Sequence, residues 1–311
     1  MPDVPLVYAV IVSWNLRDDT LECLDSLAQV EYPNLRVVLV DNGSTDGTLE
    51  AVAEQFSEAT VLVNATNLGY ARGCNIGIRH ALANGADYVF LLNNDTLVDA
   101  AALTELVAVA GPEVGIVAPK IYYADDPHRI WSLGGMRHPL TYEKTGDPIG
   151  ALDEGQWEAV LERDYFTGCA LLLSRQLLET IGLYDEWFIS YYEDSDLAFR
   201  ARAAGFKLLL ASQAKIWHKV AQTSGGSGSP NERYWMGRGS VIFFAKHVRG
   251  WRWLIVIPYR TGSALKTVLR LAWQRRWDSI IAYLCGLCDG LREVRRARKS
   301  CVNYEGVVCE F

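Results

Sequence analysis

The residues most capable of chemistry directly follow a continuous apolar segment. Residues 88–92 have the composition of a buried parallel strand, and the segment ends abruptly in Asn93, Asn94 and Asp95. Ligands bind at the carboxyl ends of strands in an open α/β sheet, so we expect Asp95 on the floor of a site. A lone carboxylate suits Mg²⁺ or Mn²⁺, with substrate phosphates completing the coordination. The alternative is a turn, in which these residues cap a helix over 100–109.

Earlier segments repeat this pattern of an apolar strand followed by a polar cluster. The segment 35–40 ends at Asp41, whose carboxylate can accept a hydrogen bond from the imide N–H of a pyrimidine. Asn67 and Arg72 lie on a glycine-bearing loop before a predicted helix, where they can approach phosphate or base. Helix capping or turn formation explains each cluster singly, but their coincidence on one sheet edge favours a binding site.

Strand and helix patterns alternate from residue 6 to residue 109 at the spacing of β-α-β units. We expect Asp18 or Asp19 to cap the first helix of this series. The fold class is therefore predicted as α/β, with a Rossmann-like, mostly parallel central sheet flanked by helices. No Walker motif occurs and no G-x-G-x-x-G follows the first strand, which argues against P-loop and dinucleotide-binding proteins.

Three acidic residues in the second half of the chain follow an aromatic segment. Glu193, Asp194 and Asp196 fall in the first turn of a predicted helix, where the helix dipole favours negative charge. Capping explains one or two of them, and Arg200 is spaced to form a structural ion pair with Asp196. A third acid beside Trp187 and its aromatic neighbours indicates a carboxylate that faces a carbohydrate pocket.

Two further features are candidates for the same site. A small-residue turn at Gly168 and Cys169 would let a sugar approach the backbone, and simple close packing is the alternative. His218 follows a strand-like segment and precedes a Gly/Ser loop at 224–229. This setting makes His218 a candidate metal ligand, although a lone histidine is often a satisfied core or surface group. The loop is either a linker or a lid that bound nucleotide orders.

Composition limits the functional classes. The net charge of −7 argues against a general nucleic-acid-binding protein. Seven scattered cysteines indicate reduced thiols in a cytosolic protein, and we expect Cys285 and Cys288 to be core or interface thiols rather than a zinc site. No apolar segment reaches the length of a membrane span, and the first one lacks the basic region of a signal peptide.

Charge is divided unevenly along the chain. Between Lys246 and Lys299, thirteen Lys or Arg residues stand against three acids, a net +10 that leaves −17 elsewhere. Apolar stretches within 241–288 border these basic residues, which is typical of helices that lie on anionic lipid. We therefore expect membrane-surface contact through 241–299. The competing interpretation is a homodimer interface or a helical pair packed on a catalytic domain.

Taken together, these motifs resemble the family 2 glycosyltransferases, which are inverting enzymes of the GT-A fold, and among them the rhamnosyltransferase-like members. The resemblance runs from Val7 to about Lys246, with its motifs in family order. Each short match is weak alone, whereas seven in order are specific. The matching segments are Ser13 to Asn15, Asp41 to Asp46, Asn67 to Asn75, Asn93 to Asp95, Thr167 to Ala170, Glu193 to Arg200, and His218.

The resemblance implies positions around the donor nucleotide. Ser13 and Asn15 would border the nucleoside, and Asp41 would bind the pyrimidine, with Asn67 and Arg72 nearby. All five positions precede the polar cluster that ends the fourth predicted strand. The implied donor is a nucleotide-diphosphate sugar of the dTDP or UDP type.

The resemblance also implies a metal site. Asn93, Asn94 and Asp95 occupy the place of the family's D-x-D motif, with Asn94 in the nucleotide-sugar site. Because the first acid of the motif is replaced by Asn93, Asp95 remains the main carboxylate for Mg²⁺ or Mn²⁺. His218 corresponds to a position that completes the metal or diphosphate site in many GT-A enzymes.

The implied catalytic base is Asp194, which would remove the proton from the acceptor hydroxyl while the anomeric centre is inverted. Glu193 and Asp196 would orient this base. The pocket for the sugar and the acceptor would be formed by Gly168, Cys169, Trp187 and Glu193.

We therefore expect a metal-dependent inverting glycosyltransferase in the cytoplasm, on the inner face of the plasma membrane. It would move rhamnose from dTDP-rhamnose to a hydroxyl of a lipid-linked or polysaccharide acceptor. Residues 1–240 would form the catalytic domain, divided near residue 112 into nucleotide-sugar and acceptor halves, and 241–311 a basic helical extension. The alternatives are a UDP-hexose transferase, a sugar nucleotidyltransferase and a non-catalytic sugar- or lipid-binding module.

Overall fold

The computed structural model describes residues 4–220 and 228–302, with the side chains of 299–302 excepted. The chain forms two compact units. The first comprises residues 1–136, 144–189 and 193–223, and the second comprises 137–143, 190–192 and 224–311. Most of the predicted Gly/Ser lid, residues 224–227, lies outside the described residues.

The first unit begins with the predicted alternation of strands and helices. Strand β1 pairs in parallel with β2 and β4, and β2 pairs in parallel with β3. The elements are β1 (Val7–Ser13), α1 (Arg17–Ala28), β2 (Leu35–Asp41), α2 (Thr48–Gln55), β3 (Thr60–Val63), α3 (Tyr70–Ala83) and β4 (Tyr88–Asn93). The predicted α/β class with a mostly parallel sheet is confirmed for this part of the chain.

Further strands and helices follow up to His218. They are β5 (Thr96–Val98), α4 (Ala102–Val109), β6 (Val114–Tyr123), β7 (Ile130–Ser132), β8 (Met136–Arg137), β9 (Lys144–Thr145), β10 (Leu161–Glu162), β11 (Ala170–Ser174), α5 (Arg175–Ile181), α6 (Glu193–Ala203) and β12 (Lys207–His218). Most of these strands extend the same sheet, in the order β10-β12-β6-β11-β4-β1-β2-β3, with β5 paired to β12 and β7 to β6, whereas β8 and β9 form a separate two-stranded sheet. Strand β11 runs antiparallel to both β4 and β6, while β12 runs parallel to β6.

Hydrophobic clusters cover both faces of the sheet, because successive side chains of a strand point to opposite sides. Val10 and Val12 of β1 pack with Ile78 of α3, whereas Ala9 and Ile11 belong to the cluster that contains α1. Strands buried on both faces read as continuous apolar runs, which is the pattern seen in the sequence.

Two local predictions are wrong. Helix α1 starts after Leu16, which has a left-handed backbone (φ 58°), and no side chain caps it; Asp18 and Asp19 lie inside the first turn. The residues around Asp95 do not cap a helix over 100–109. Strand β5 intervenes, and α4 begins at Ala102 without a side-chain cap. The turn at Asp95 therefore connects two strands.

The second unit consists of α7 (Pro230–His247), a short 3-10 helix (Gly250–Arg252), α8 (Trp253–Trp273) and α9 (Trp277–Val302). Helices α7 and α9 pack so closely at Gly286 that a Cβ there would overlap the carbonyl oxygen of Tyr234. The Arg238 guanidinium pairs with Glu293 across the same interface. Within the described ranges, each helix is too short or too polar to cross a membrane.

The described cysteines are free thiols. Cys23, Cys74 and Cys169 are buried, as expected of core thiols, but Cys285 and Cys288 are exposed on α9. The core alternative for this C-x-x-C pair is therefore wrong, and the interface alternative stays a prediction.

Candidate active site

The sheet topology brings the ends of several strands to one edge. Ser13 at the end of β1 is in register with Asp41 at the end of β2, and Val12 is in register with Asn93 at the end of β4. The antiparallel β11 starts at this edge, where Ala170 pairs with Leu92. Polar residues that are distant in sequence therefore lie at a common boundary.

Asp41 is fully buried at this edge, and only half of its carboxylate is used within the chain. Its Oδ2 atom accepts the backbone N–H groups of Gly43 and Ser44, each at 3.1 Å. Its Oδ1 atom is buried without a hydrogen-bond partner in the described part of the chain. A buried acceptor in this state requires a donor from elsewhere, and the imide N–H of a pyrimidine is such a donor.

Asn42 organises the loops beside Asp41. Its amide nitrogen donates to Asn67 Oδ1 at 3.0 Å, and its amide oxygen accepts from the N–H of Leu68 at 3.1 Å. Asn67 Oδ1 also accepts the N–H of Gly69, so that its oxygen is committed to the loop before α3. The sequence prediction named Asn67 for the ligand and missed Asn42, although Asn42 directly follows Asp41.

Asn15, Ser13 and Asn94 form a connected polar group between β1, β4 and α1. Asn15 has a left-handed backbone (φ 57°), and its side-chain oxygen accepts the N–H of Thr45 at 2.9 Å. Ser13 is fully buried and hydrogen-bonds Thr20, which also accepts from the Asn94 amide at 2.9 Å. These contacts hold the backbone of the 13–16 turn, so Ser13 and Asn94 shape this edge from beneath.

Arg72 lies in the first turn of α3 and forms an ion pair with Glu186, Nε to Oε2 at 3.2 Å. Glu186 also accepts from Asn75 and from Arg79. The hydrogen bond from Asn75, followed by that from Arg79, lowers the pKa of Glu186. A partly exposed pair of this kind is weak, so a phosphate could replace Glu186 as the partner of Arg72.

His218 and Asp95 meet at the end of β12. His218 Nε2 lies 3.1 Å from Asp95 Oδ1, and both residues are 4% exposed. The pairing of β12 with β5 places His218 opposite Thr96, one residue beyond Asp95. The indole of Trp131 packs edge-on against the imidazole, with ring centroids 4.4 Å apart. Trp131 was not predicted, because it lies in a segment of irregular pattern.

This pair fits a hard divalent cation. Asp95 supplies a carboxylate oxygen, and His218 directs its Nε2 atom at that oxygen from 3.1 Å, so a cation bound by both side chains would replace this hydrogen bond. The described residues contain no group of three or more His, Cys, Asp or Glu side chains arranged to hold a metal. Such cations are commonly bound by one or two protein ligands together with substrate phosphates. A cation held by these two side chains would therefore need substrate phosphates to complete its coordination.

Asp194 is held at the N-terminus of α6 and beside the start of β11. Its Oδ2 atom accepts the N–H of Gly168 at 3.2 Å, and its Oδ1 atom accepts the N–H of Ser195 at 2.5 Å. Gly168 is fixed in turn by the hydroxyl of Tyr70, which donates to its carbonyl at 2.9 Å. The carboxylate is only partly buried, which suits a group that must meet a substrate.

Glu193 differs sharply from its neighbour. It is 6% exposed, and its Oε2 atom is buried without a partner in the described ranges. Burial, followed by the charge of Asp194, raises the pKa of Glu193 to about 8. Glu193 therefore favours its neutral form at neutral pH.

Asp196 is not a surface acid but part of a buried ion pair. It is fully buried and accepts from Arg200 Nε at 2.7 Å. Arg200 also donates to the carbonyl oxygens of Ile181 and Leu183, each at 2.7 Å. The predicted ion pair is confirmed, and it fastens α6 to the segment after α5.

The two remaining predicted residues are placed differently from each other. Cys169 is buried in the cluster that contains Cys23 and Phe90, and burial raises its pKa well above the usual range. Its backbone contributes to the edge, because its carbonyl accepts the N–H of Asn93 at 2.9 Å. Trp187 is half-buried, and its backbone N–H donates to the carboxylate of Asp185.

Comparisons with known proteins agree with this arrangement. The family model described as Glycosyl transferase family 2 matches residues 8–181. The chain is 26% identical over 279 residues to the N-acetylglucosaminyl-diphospho-decaprenol L-rhamnosyltransferase of Mycobacterium tuberculosis, covering 81% of this chain and 91% of that protein. It is 23% identical over 297 residues to the dTDP-rhamnosyl transferase RfbF of Shigella flexneri, covering 93% and 96% of the two chains.

Another relative is much longer. The O-antigen biosynthesis protein RfbC of Myxococcus xanthus is 29% identical over 241 residues, which is 73% of this chain but 18% of RfbC. Among solved structures, the mannosyltransferase PcManGT from Pyrobaculum calidifontis, in complex with GDP-Man and Mn²⁺, has a TM-score of 0.56 at 19% identity. The match covers 98% of this chain and 82% of that one. Because the family model spans more than half of the chain, this protein belongs to glycosyltransferase family 2 and is a hexosyltransferase with the GT-A fold.

Proposed function

We propose that this enzyme transfers rhamnose from dTDP-rhamnose to a hydroxyl of a lipid-linked or polysaccharide acceptor, with inversion at the anomeric carbon. The names of two relatives support the donor and the acceptor, since one is a dTDP-rhamnosyl transferase and the other acts on a decaprenol-linked sugar. Both relatives match along more than nine-tenths of their own length.

The nucleotide is proposed to bind with its base at Asp41. The unpaired Oδ1 atom of Asp41 would accept the imide N–H, while Asn15 and the 41–46 loop border the nucleoside. Arg72 would exchange Glu186 for a phosphate oxygen, and Asn67 keeps the adjacent loop in place. This binding mode uses acceptors and donors that are already positioned.

Asp95 and His218 would hold a divalent cation, Mg²⁺ or Mn²⁺, together with the diphosphate of the donor. When bound, such a cation stabilises the negative charge that develops on the departing nucleoside diphosphate. The two protein groups are pre-positioned for this task by strands β4, β5 and β12.

Asp194 is proposed as the general base. Its carboxylate would accept the proton of the acceptor hydroxyl as that oxygen attacks the anomeric carbon, while the bond from carbon to the diphosphate oxygen breaks. Hydrogen bonds from Gly168 and Ser195 orient the carboxylate. Glu193, whose pKa is raised by burial, would be neutral at pH 7 and so would add no second negative charge beside the proposed base.

The observation that carries this proposal is the common edge formed by β4 and β11. Asp194 accepts a hydrogen bond from the N–H of Gly168, and the carbonyl of the next residue, Cys169, accepts one from the N–H of Asn93. Asp95 lies two residues after Asn93. The base and the diphosphate site are thereby connected through one short run of backbone. A single displacement needs these two functions on the same edge.

A donor screen tests the proposal. The purified enzyme is incubated with a panel of dTDP-, UDP- and GDP-sugars and a polyprenyl-diphosphate-linked acceptor, and release of nucleotide diphosphate is measured. We expect turnover with dTDP-rhamnose, and NMR of the product should show the inverted anomer. Turnover with GDP-sugars alone, or a retained anomer, would contradict the proposal. UDP-hexose is the second candidate donor, because uracil and thymine share the imide N–H that Asp41 would recognise.

A further inference from the structure

Helix α8 carries an exposed apolar stripe along one face. Leu254 is 80% exposed, and Ile257, Leu265 and Leu269 are each at least 58% exposed. At 3.6 residues per turn, these four side chains fall within about 120° of the helix circumference and extend over about 22 Å. Apolar residues scattered singly are normal on protein surfaces, but an aligned stripe of this length marks an interaction site.

The other side of α8 packs within its own unit. Val256 and Leu271 are buried, and the Arg260 guanidinium lies over the ring of Phe244 on α7. The helix therefore has one face committed to the second unit and one face of leucine and isoleucine directed outward. The outward face is not part of the site described above.

Tryptophans border the stripe at both ends. Trp251 lies just before α8 and is 62% exposed, while Trp273 at its last residue is 87% exposed. Trp277, at the start of α9, is also largely exposed. Tryptophan has a large apolar ring with one N–H donor, and it is enriched where hydrocarbon meets water.

The charge of this region indicates which partner the stripe meets. From Arg249 to Arg276 the sequence has seven basic residues and no acid, although the whole chain carries −7. Lys266 and Arg270 lie beside the stripe on the helix surface and are exposed. A second copy would bring two such basic faces together, which is unfavourable. An anionic lipid surface would complement them instead.

We propose that α8 lies in the plane of an anionic bilayer, with Leu254, Ile257, Leu265 and Leu269 inserted among the acyl chains and the basic residues at the headgroups. The aliphatic stems of Lys266 and Arg270 can follow the apolar stripe while their charges reach the phosphates. This inference rests on the second unit alone and is independent of the donor and base proposed above.

The test uses the full chain and vesicle flotation. We expect binding to vesicles of phosphatidylcholine with about 30% phosphatidylglycerol to exceed binding to pure phosphatidylcholine by at least about tenfold at low salt. Leu265→Glu with Leu269→Glu should reduce binding at least about tenfold, because charge cannot enter the acyl region. Ile149→Glu is the matched control, since Ile149 is 63% exposed in the first unit and should leave binding unchanged.

A second variant separates charge from insertion. Lys266→Gln with Arg270→Gln should weaken binding to the anionic vesicles by about tenfold while retaining the apolar stripe. Circular dichroism, thermal unfolding and nucleotide release from a soluble donor should match the wild type in every variant. Failure of the donor screen would leave these vesicle results intact.

Three results would overturn the proposal. They are absence of wild-type binding to anionic vesicles, equal binding by the Leu265/Leu269 variant, and conversion of a wild-type dimer to monomer by that variant in light scattering. The last result would assign the stripe to a second copy of the chain.

Discussion

The imidazole of His218 and the carboxylate of Asp95 lie 3.1 Å apart, although 123 residues separate them in the sequence. Strand β12 makes this contact by pairing with β6 along most of its length and with β5 at its end. The position of His218 therefore depends on the register of β12 against β5 and β6. Its partner Asp95 depends on the turn between β4 and β5.

Substitution at this pair tests the proposed cation site. Asp95→Asn and His218→Ala should each reduce Mn²⁺-dependent nucleotide binding by about 10- to 100-fold, because each would remove one of the two proposed protein ligands. Calorimetric titration of dTDP with and without a chelator measures the effect. His128→Ala is the control, since His128 is an exposed histidine of the same unit. If nucleotide affinity were unchanged in both variants and unaffected by chelator, the site would be excluded.

Asp41 offers a test at the level of one hydrogen bond. A thymidine diphosphate methylated at the imide nitrogen cannot donate to Oδ1 of Asp41, so we expect the wild type to bind it about 10-fold or more weakly than dTDP. Asp41→Asn should weaken dTDP binding by a similar factor and should no longer distinguish the two nucleotides. Asp25→Asn, at an exposed carboxylate on α1, is the control.

A different result would exclude contact between the nucleobase and Asp41. If Asp41→Asn still preferred dTDP over its methylated analogue by the wild-type factor, Asp41 would not contact the imide. The unpaired Oδ1 atom would then need another donor.

The strands and the shared sheet edge were predictable, because continuous apolar runs that end in polar residues are a strong pattern in parallel sheets. The roles of individual polar residues were less so. The hydrogen bonds that Ser13 and Asn94 both form with Thr20 were not predicted. Sequence spacing cannot reveal this, since Thr20 lies on a helix whose start was itself mispredicted.

Side-chain contacts between residues distant in the sequence could not be predicted from the sequence pattern either. No role was predicted for Glu186, yet it forms ion pairs with Arg72 and Arg79 and accepts a hydrogen bond from Asn75, all on α3. The segment 182–189 has no regular periodicity, so nothing local fixes which helix it meets. Its backbone at Ile189 accepts the N–H of Tyr70, which joins the two regions.

Replacing Asp194 and Glu193 by their amides should affect activity to different extents. Asp194→Asn should lower kcat by about 10²- to 10⁴-fold with little change in nucleotide affinity, because the base acts only in the transition state. Glu193→Gln mimics the neutral acid and should keep kcat within about tenfold of the wild type. Stopped assays of nucleotide release at pH 7 measure both. Equal loss of activity in the two variants would mean that Glu193 is needed in its ionised form.

The raised pKa of Glu193 also gives a dependence of stability on pH. An acid whose folded pKa exceeds its unfolded value of 4.5 binds more protons when folded, so stability falls as pH rises from about 4.5 toward 8. Glu193→Gln should remove this loss and raise the free energy of unfolding, relative to wild type, by roughly 1–3 kcal/mol more at pH 8 than at pH 5. Urea unfolding at the two pH values measures the difference. A constant difference would place the titration elsewhere.

Substitution of Asp196 tests whether this residue stabilises the fold or orients the proposed base. Its buried carboxylate is paired with Arg200, so Asp196→Asn leaves a guanidinium without its counter-charge and should destabilise the fold by roughly 3–5 kcal/mol. Glu179→Gln, which breaks the exposed pair with Arg175, should cost less than about 1 kcal/mol and serves as the control. Urea unfolding gives both values.

The same substitution tests whether Asp196 acts on the base. At a temperature where Asp196→Asn remains folded, its kcat should stay within about tenfold of the wild type, because Asp194 keeps its own hydrogen bonds to Gly168 and Ser195. A loss of kcat as large as that of Asp194→Asn, without loss of stability, would instead make Asp196 a residue that positions the base.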